Sequence, residues 1–266
     1  MNKHKEKLDQ NFSIGVIAGD NFFSYLLSRN FIRQNKIKNV ILSSTKRNFF
    51  SRLINIFKKT SLQYFLYRST IQLISVILSK YSIKRLCKEK GLKPLYVSSK
   101  RELINLKQTN KISIAFNFDM IVPKEIISLS EHGIINIHAS NLPADKGISP
   151  VVWAYCRGDK EIYVSFYFMN EDIDEGQIFY KEKINIDDNW SLFRTYCEIL
   201  EQSSRTLLKI FDNKEYLSII SHKNDKKITE SYNSWPNEKL HASLRKNNRS
   251  YFKFRDIFYI QKILNE

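Results

Sequence analysis

Apolar runs and apolar stripes alternate along the first half of the chain. Ser13 to Ala18 (SIGVIA) is a continuous apolar run ending in Gly19-Asp20, the pattern of a buried strand. Phe22 to Ile32 repeats its apolar residues at helical spacing, and Asn39 to Ser43 returns to a strand-like run. A strand–turn–helix–strand order is how a parallel α/β sheet begins. Strand patterns resume at Leu95–Val97, Ile112–Asn117 and Ile134–His138, with helical stretches between them. Past Pro150 the pattern predicts a short helix to Arg157 and strands over Val164–Met169 and Ile178–Ile184. A long amphipathic helix follows from Ser191 to Phe211, with Asp187, Asp188 and Asn189 offering N-cap chemistry. The polar tail carries a turn-rich segment, SYNSWPNEK, and Tyr251 to Tyr259 reads as a strand pair. No internal repeat interrupts this order.

One segment breaks the rhythm. Lys46 to Lys90 mixes aromatic and basic residues without Gly or Pro and reads as helical, long for a simple crossover. Its most apolar part, Leu62 to Leu78, is interrupted by Gln63, Arg68 and Gln72, so it predicts a buried or surface helix rather than a membrane span. Three roles are open to it: covering the sheet, forming a homodimer surface, or resting on an anionic membrane. The domain reading is a charged leader over 1–12, a main domain over 13–212 with a helical insertion at 46–90, and a small C-terminal extension over 213–266.

Composition changes this picture little. The 266 residues are 42% apolar, enough for a substantial core. Cys87, Cys156 and Cys197 are widely separated and odd in number, which argues against disulfides or a thiolate metal site and suits a reducing cytoplasm. The leader MNKHKEKLDQNF lacks the apolar stretch of a signal peptide, and no membrane-spanning run occurs. A formal charge of +16 would draw anions such as nucleic acid, an acidic membrane face or a phosphorylated substrate.

Chemistry concentrates between Gly133 and Ile184. Four of the seven glycines fall there, with Pro143 and Pro150. A strand delivers Asn136 and His138 with one residue between them, so both side chains leave one face. The loop SNLPADKGISP then opens a helix, at the strand edge where ligands sit in open α/β sheets. Asp174 follows in the polar turn MNEDIDEG, closed by Gly176. Acyl transfer to an amine requires an oxyanion donor, a proton acceptor and a carboxylate that orients the imidazole, and these three residues form such a set. No G-x-S-x-G elbow and no Cys beside the His is present, in keeping with direct transfer. Trp153 reads as core beneath the loop, Asp145 and Lys146 as exposed loop residues, His132 as a helix end, and His4, His222 and His241 as solvated surface.

NIHASNLP, GISP and DEG, at this spacing, resemble the catalytic core of the formyltetrahydrofolate-dependent formyltransferases, the family of glycinamide ribonucleotide, methionyl-tRNA and nucleotide-sugar formyltransferases. The resemblance covers Ile112 to Ile184. It implies a Rossmann-like α/β fold, a mostly parallel twisted sheet flanked by helices, with a small C-terminal extension. It further implies formyltetrahydrofolate as co-substrate and no metal. Asn136 and His138 would polarise the formyl group, and Asp174 would orient a water and assist proton transfer. IAFNFDMIVP resembles the segment whose backbone cradles the pterin, placing Phe118, Asp119, Met120 and Ile121, with Asp172 and Ile173, beside the folate. Ser140, Asn141, Pro143, Lys146 and Gly147 would form the substrate loop. Departures include Tyr163 and Tyr167 where the family often has Gly and His. The first turn, AGDNFFS, also lacks the phosphate loop of the purine-pathway enzyme. That loop's absence and a tail too short for a barrel point to an amino sugar, nucleotide-linked, for surface polysaccharide. The alternatives are a methionyl-tRNA-type enzyme and a silent anion-binding protein of the same fold.

Overall fold

The computed structural model describes residues 13–34, 37–44, 54, 57–106, 110–213 and 232–265. The leader 1–12, residues 46–53 and 55–56 of the helical segment, and His4 and His222 lie outside them. The first strand, β1 (Ile14–Gly19), is buried throughout and is followed by α1 (Phe22–Arg33). Asn21 ends the strand and starts the helix, its side chain accepting from Ser24 N at 3.0 Å. Next come β2 (Ile37–Ser43), α2 (Leu62–Ile77), α3 (Ile83–Glu89), β3 (Leu95–Val97), α4 (Lys100–Asn105) and β4 (Ile112–Phe116). Then follow α5 (Lys124–Ile127), β5 (Ile134–His138), the two-residue β6 (Lys146–Gly147), α6 (Pro150–Arg157), β7 (Glu161–Phe168) and β8 (Gln177–Asn185). The chain closes with α7 (Leu192–Asp212), β9 (Tyr232–Asn233), α8 (Glu238–Lys246) and α9 (Arg255–Asn265).

Seven strands form one sheet in the order β3-β2-β1-β4-β5-β7-β8. The first five run parallel and are nearly continuous in apolar residues, as sheets covered on both faces require. Strands β7 and β8 turn back antiparallel, with Asn136 opposite Tyr167 and His138 opposite Ser165. Because β1 connects outward to β2 and β4 lies on its other side, the strand order reverses there, and the carboxyl edge opens into a crevice.

On one face α1 and α7 pack together. Arg29, buried in that layer, donates to Glu201 Oε2 at 2.9 Å and to the Ile263 carbonyl of α9. The residues from 232 onward share the same core: Leu240, Leu244, Tyr259 and Ile263 join the cluster that includes β1 and α1. Arg249 ties them down by donating to the carbonyls of Tyr155 at 2.7 Å and Asp159 at 2.8 Å.

Three expectations are corrected. Tyr251–Tyr259 is not a strand pair, since α9 runs through Arg255–Asn265 with Asp256, Tyr259 and Ile263 buried on one face. Asp256 Oδ2 accepts from Lys253 N at 2.7 Å, so the acid fixes the start of that helix. The cap of α7 is Ser191, whose hydroxyl accepts from Arg194 N. Asp187 is used one turn earlier, accepting from Asn189 N, and Asp188 pairs with Lys160. His241 is buried rather than solvated, stacked on Tyr251 and accepting from Arg245 Nε at 3.2 Å. All three cysteines are buried and free.

Candidate active site

Strand β5 carries Asn136 and His138 to the carboxyl edge on one face, and the returning β7 sets Tyr167 opposite Asn136. Asn136 Nδ2 donates to the Tyr167 hydroxyl at 2.6 Å, and that hydroxyl donates to Asp174 Oδ1 at 3.1 Å. The other carboxylate oxygen, Oδ2, accepts from Gly147 N at 3.4 Å and lies 3.7 Å from His138 Nε2. The residues expected to act together therefore meet, and a tyrosine links two of them.

Each part is held by local chemistry. Asp174 has φ +58°, the left-handed region that Asp and Asn enter more readily than most side chains. Two residues on, Gly176 passes so close to β7 that an added Cβ would overlap the Phe168 carbonyl oxygen and sit 2.6 Å from Tyr167 Cδ2. Ser165 clamps the other side: its hydroxyl donates to the Ser140 carbonyl at 2.7 Å and accepts from Leu142 N at 3.1 Å, just before the cis peptide at Pro143. Asn141 Oδ1 accepts from Lys181 Nζ at 2.8 Å. Lys146 is buried, not exposed, and its ammonium meets Glu175 Oε1 at 2.8 Å. Gly147 pairs with Asn233 of β9, where φ +101° and the adjacent Asn233 carbonyl leave no room for a Cβ. Loop and turn thus lock to each other around Asp174.

The expected folate-side residues follow β4 and the turn. Phe118 and Met120 are half-buried against the smaller apolar cluster, together with Met169, whereas Asp119 and Ile121 are exposed and Ser43 Oγ donates to Asp119 at 2.9 Å. Asp172 and Ile173 are exposed in the turn. An exposed ion pair between Lys124 and Glu171, 2.5 Å apart, links the start of α5 to the turn before Asp174. A separate cavity of about 230 Å³ is lined by Ser140, Asn141, Asp145, Arg157 and Tyr163. Neither His138 nor Asp174 lines it. Trp153 is half-buried against the core and donates to the Ser234 carbonyl at 2.9 Å.

Electrostatically, burial is the largest influence on His138 and lowers its pKa; the carboxylates of Asp174 and then Asp145 offset this only in part. The imidazole is therefore neutral at neutral pH. Burial, reinforced by Asp174, pushes the Tyr167 phenol up, so it keeps its proton and donates it to the carboxylate. His138 Nε2 is buried and has no hydrogen-bond partner among the described residues. These directions carry a sign that can be checked. In Asp174→Asn the charge that holds the imidazole pKa up is gone, so the His138 titration midpoint should move further below the ordinary value of about 6.5. Histidine ring resonances followed by NMR against pH test this, and an upward or absent shift would contradict it.

Fold and site together define a Rossmann-like α/β protein with Asn136, Tyr167, Asp174 and His138 gathered at its strand edge. The chain belongs to the formyl transferase family, whose model matches residues 37–210. Over 112 residues it is 34% identical to a methionyl-tRNA formyltransferase of Caldanaerobacter subterraneus, a match covering 40% of this chain and 36% of that protein. The chain spans between about a quarter and a half of the length of the curated relatives it matches. Among solved structures it is similar to a sugar 3N-formyl transferase crystallised with dTDP and 5-N-formyl-THF, with TM-score 0.54 and 18% identity over 86% of this chain and 70% of that one. It is also similar to an N-formyltransferase from Helicobacter canadensis in complex with folinic acid and dTDP-3-aminofucose, with TM-score 0.51 and 17% identity over 86% and 72% of the two chains. At these identities the structural likeness concerns the fold.

Sequence reading missed the role of Tyr167, which it registered only as a departure from the family pattern. Its signal is the antiparallel register that sets it opposite Asn136, and that register is not written in either strand alone.

Proposed function

We propose that this chain transfers a formyl group from formyltetrahydrofolate to the primary amine of a nucleotide-linked amino sugar. The observation that carries the reading is the buried, unpartnered Nε2 of His138, beside Asn136 and 3.7 Å from Asp174. A buried polar nitrogen without a partner is costly, and an acyl oxygen at the strand edge would satisfy it. Bound there, the folate supplies an activated formyl carbon and a nitrogen leaving group. His138 Nε2 donates to the formyl oxygen as it gains charge. Asn136 Nδ2 has a second N–H beyond the one given to Tyr167, and it adds to that donation. Asp174, held by Tyr167 and Gly147, receives the proton lost by the attacking amine and returns it to the departing folate nitrogen. The half-buried Phe118 and Met120 offer an apolar wall for the pterin.

Three features favour the amino-sugar acceptor. The first βα turn has no Gly-Ser-rich phosphate loop, one solved structure described above is a sugar 3N-formyl transferase with dTDP and the other holds dTDP-3-aminofucose, and the charge of +16 suits a diphosphate. A methionyl-tRNA acceptor is the second reading, favoured by the sequence relatives and by the same charge. Turnover with formyltetrahydrofolate against nucleotide-linked 3- and 4-amino sugars and against methionyl initiator tRNA separates them. The expected result is a formyl mass gain on an amino sugar. Formylation of the charged tRNA alone, with steep salt dependence, would give the assignment to the second reading.

A further inference from the structure

Helix α2 is apolar on both faces. Inward, Tyr64 and Tyr67 are buried: Tyr67 stacks on Tyr251 at 5.0 Å, and the Tyr64 hydroxyl hydrogen-bonds Ser149 Oγ at 2.8 Å, at the start of α6. Outward, Leu62, Leu66, Leu73, Val76 and Ile77 are each between 52% and 67% exposed. At about 100° per residue these positions fall on one stripe along the whole helix. Phe57, also exposed, extends it by packing edge-on against Phe65 at 5.2 Å. Scattered exposed apolar side chains are ordinary, but a stripe of this length, broken by Ser69 at its middle, marks a surface that meets something apolar.

The charge around the stripe says what. Between residues 46 and 90 the sequence has eleven basic residues and one acid, Glu89. Glu89 is already paired with Arg85. Lys58 and Lys59, both exposed, precede the helix, and exposed Lys80 follows it. A second copy of the chain is disfavoured. Parallel contact would set Lys58 and Lys59 against themselves, and antiparallel contact would set them against Lys80, with no acid in α2 to answer them. An anionic lipid surface satisfies both features, taking the apolar stripe into its acyl boundary and the lysines at its headgroups. Among the described residues no helix is long and apolar enough to cross a membrane, so α2 would lie in the interface plane.

We propose that α2 docks this protein peripherally on an anionic membrane through Phe57, Leu62, Leu66, Leu73, Val76 and Ile77, with Lys58, Lys59 and Lys80 at the headgroups. Docking is independent of which amine is formylated. It would place the strand-edge site, tied to α2 through Tyr64 and Ser149, close to the lipid surface.

Co-flotation of the full chain with phosphatidylcholine vesicles, with and without phosphatidylglycerol, tests it. Binding should be roughly tenfold or more stronger with the anionic lipid and should weaken as salt rises. Leu66→Glu/Leu73→Glu should abolish flotation while the circular dichroism spectrum and Tm stay at wild-type values, because both side chains are exposed. If that pair misfolds, Leu66→Ser/Leu73→Ser is read in its place. Lys58→Glu/Lys59→Glu should remove most of the preference for anionic lipid. Absence of flotation, equal flotation with neutral vesicles, or undiminished flotation of the leucine variants each overturns the proposal. So does a concentration-dependent dimer that the leucine substitutions disperse, which would assign the stripe to a second copy.

Discussion

Replacing His138 by alanine is expected to lower kcat for formyl transfer by about 10²–10³-fold with little change in KM. That is the size of effect seen when a single donor to a developing oxyanion is removed. The Nε2 atom makes no hydrogen bond within the described residues, so none is lost with that atom. Its worth should then appear when charge gathers on the formyl oxygen, which is the signature of an interaction made in the transition state. Burial keeps the imidazole neutral, so it contributes an N–H dipole rather than a full charge. Steady-state kinetics on the formylated amine measure the split. Wild-type kcat in the alanine variant would remove His138 from the reaction, and a rise confined to KM would recast it as a binding residue.

The second large effect is steric. In Gly176→Ala the new methyl would overlap the Phe168 carbonyl and press on the Tyr167 ring, and neither can move without disturbing β7. The turn must then shift, and with it Asp174, whose place is set by Tyr167 and Gly147. A displacement of about 1 Å at a catalytic group can cost about 10²-fold in rate, and overpacking against backbone costs about 1–3 kcal/mol. Both should be seen together, as lost turnover and a lowered denaturation midpoint. Wild-type activity and stability in this variant would show that the turn tolerates a Cβ and that Asp174 is not held by contact with β7.

Much of this was legible because the informative residues are local. The strands over Leu95–Val97 and Ile134–His138 and the short helix ending at Arg157 announce themselves through apolar runs and a Pro/Gly boundary. What stayed hidden depends on partners far away in sequence. The aromatics from Tyr251 to Tyr259 look strand-forming in isolation, yet Tyr259 and Ile263 face the core one helical turn apart and a helix wins. His241 sits among polar neighbours, but Leu240 and Leu244 turn its side of α8 inward onto Tyr251. Lys146 reads as a solvated loop lysine until the turn at Glu175 is folded over it. No local pattern signals that Lys146 and Gly147 pair with Tyr232 and Asn233.

That last pairing has a consequence for the life of the chain on the ribosome. His138 and Asp174 are synthesised well before Asn233, which receives Gly147 and whose carbonyl accepts from Ile148 N at 2.8 Å. Domains fold largely in the order they emerge, and contacts between distant segments close last. A nascent polypeptide therefore holds His138 and Asp174 while the loop beside them still lacks its strand partner. The candidate site gains its frame only once Tyr232 and Asn233 have followed, so products truncated before them would carry His138 and Asp174 without the strand that braces the loop beside them.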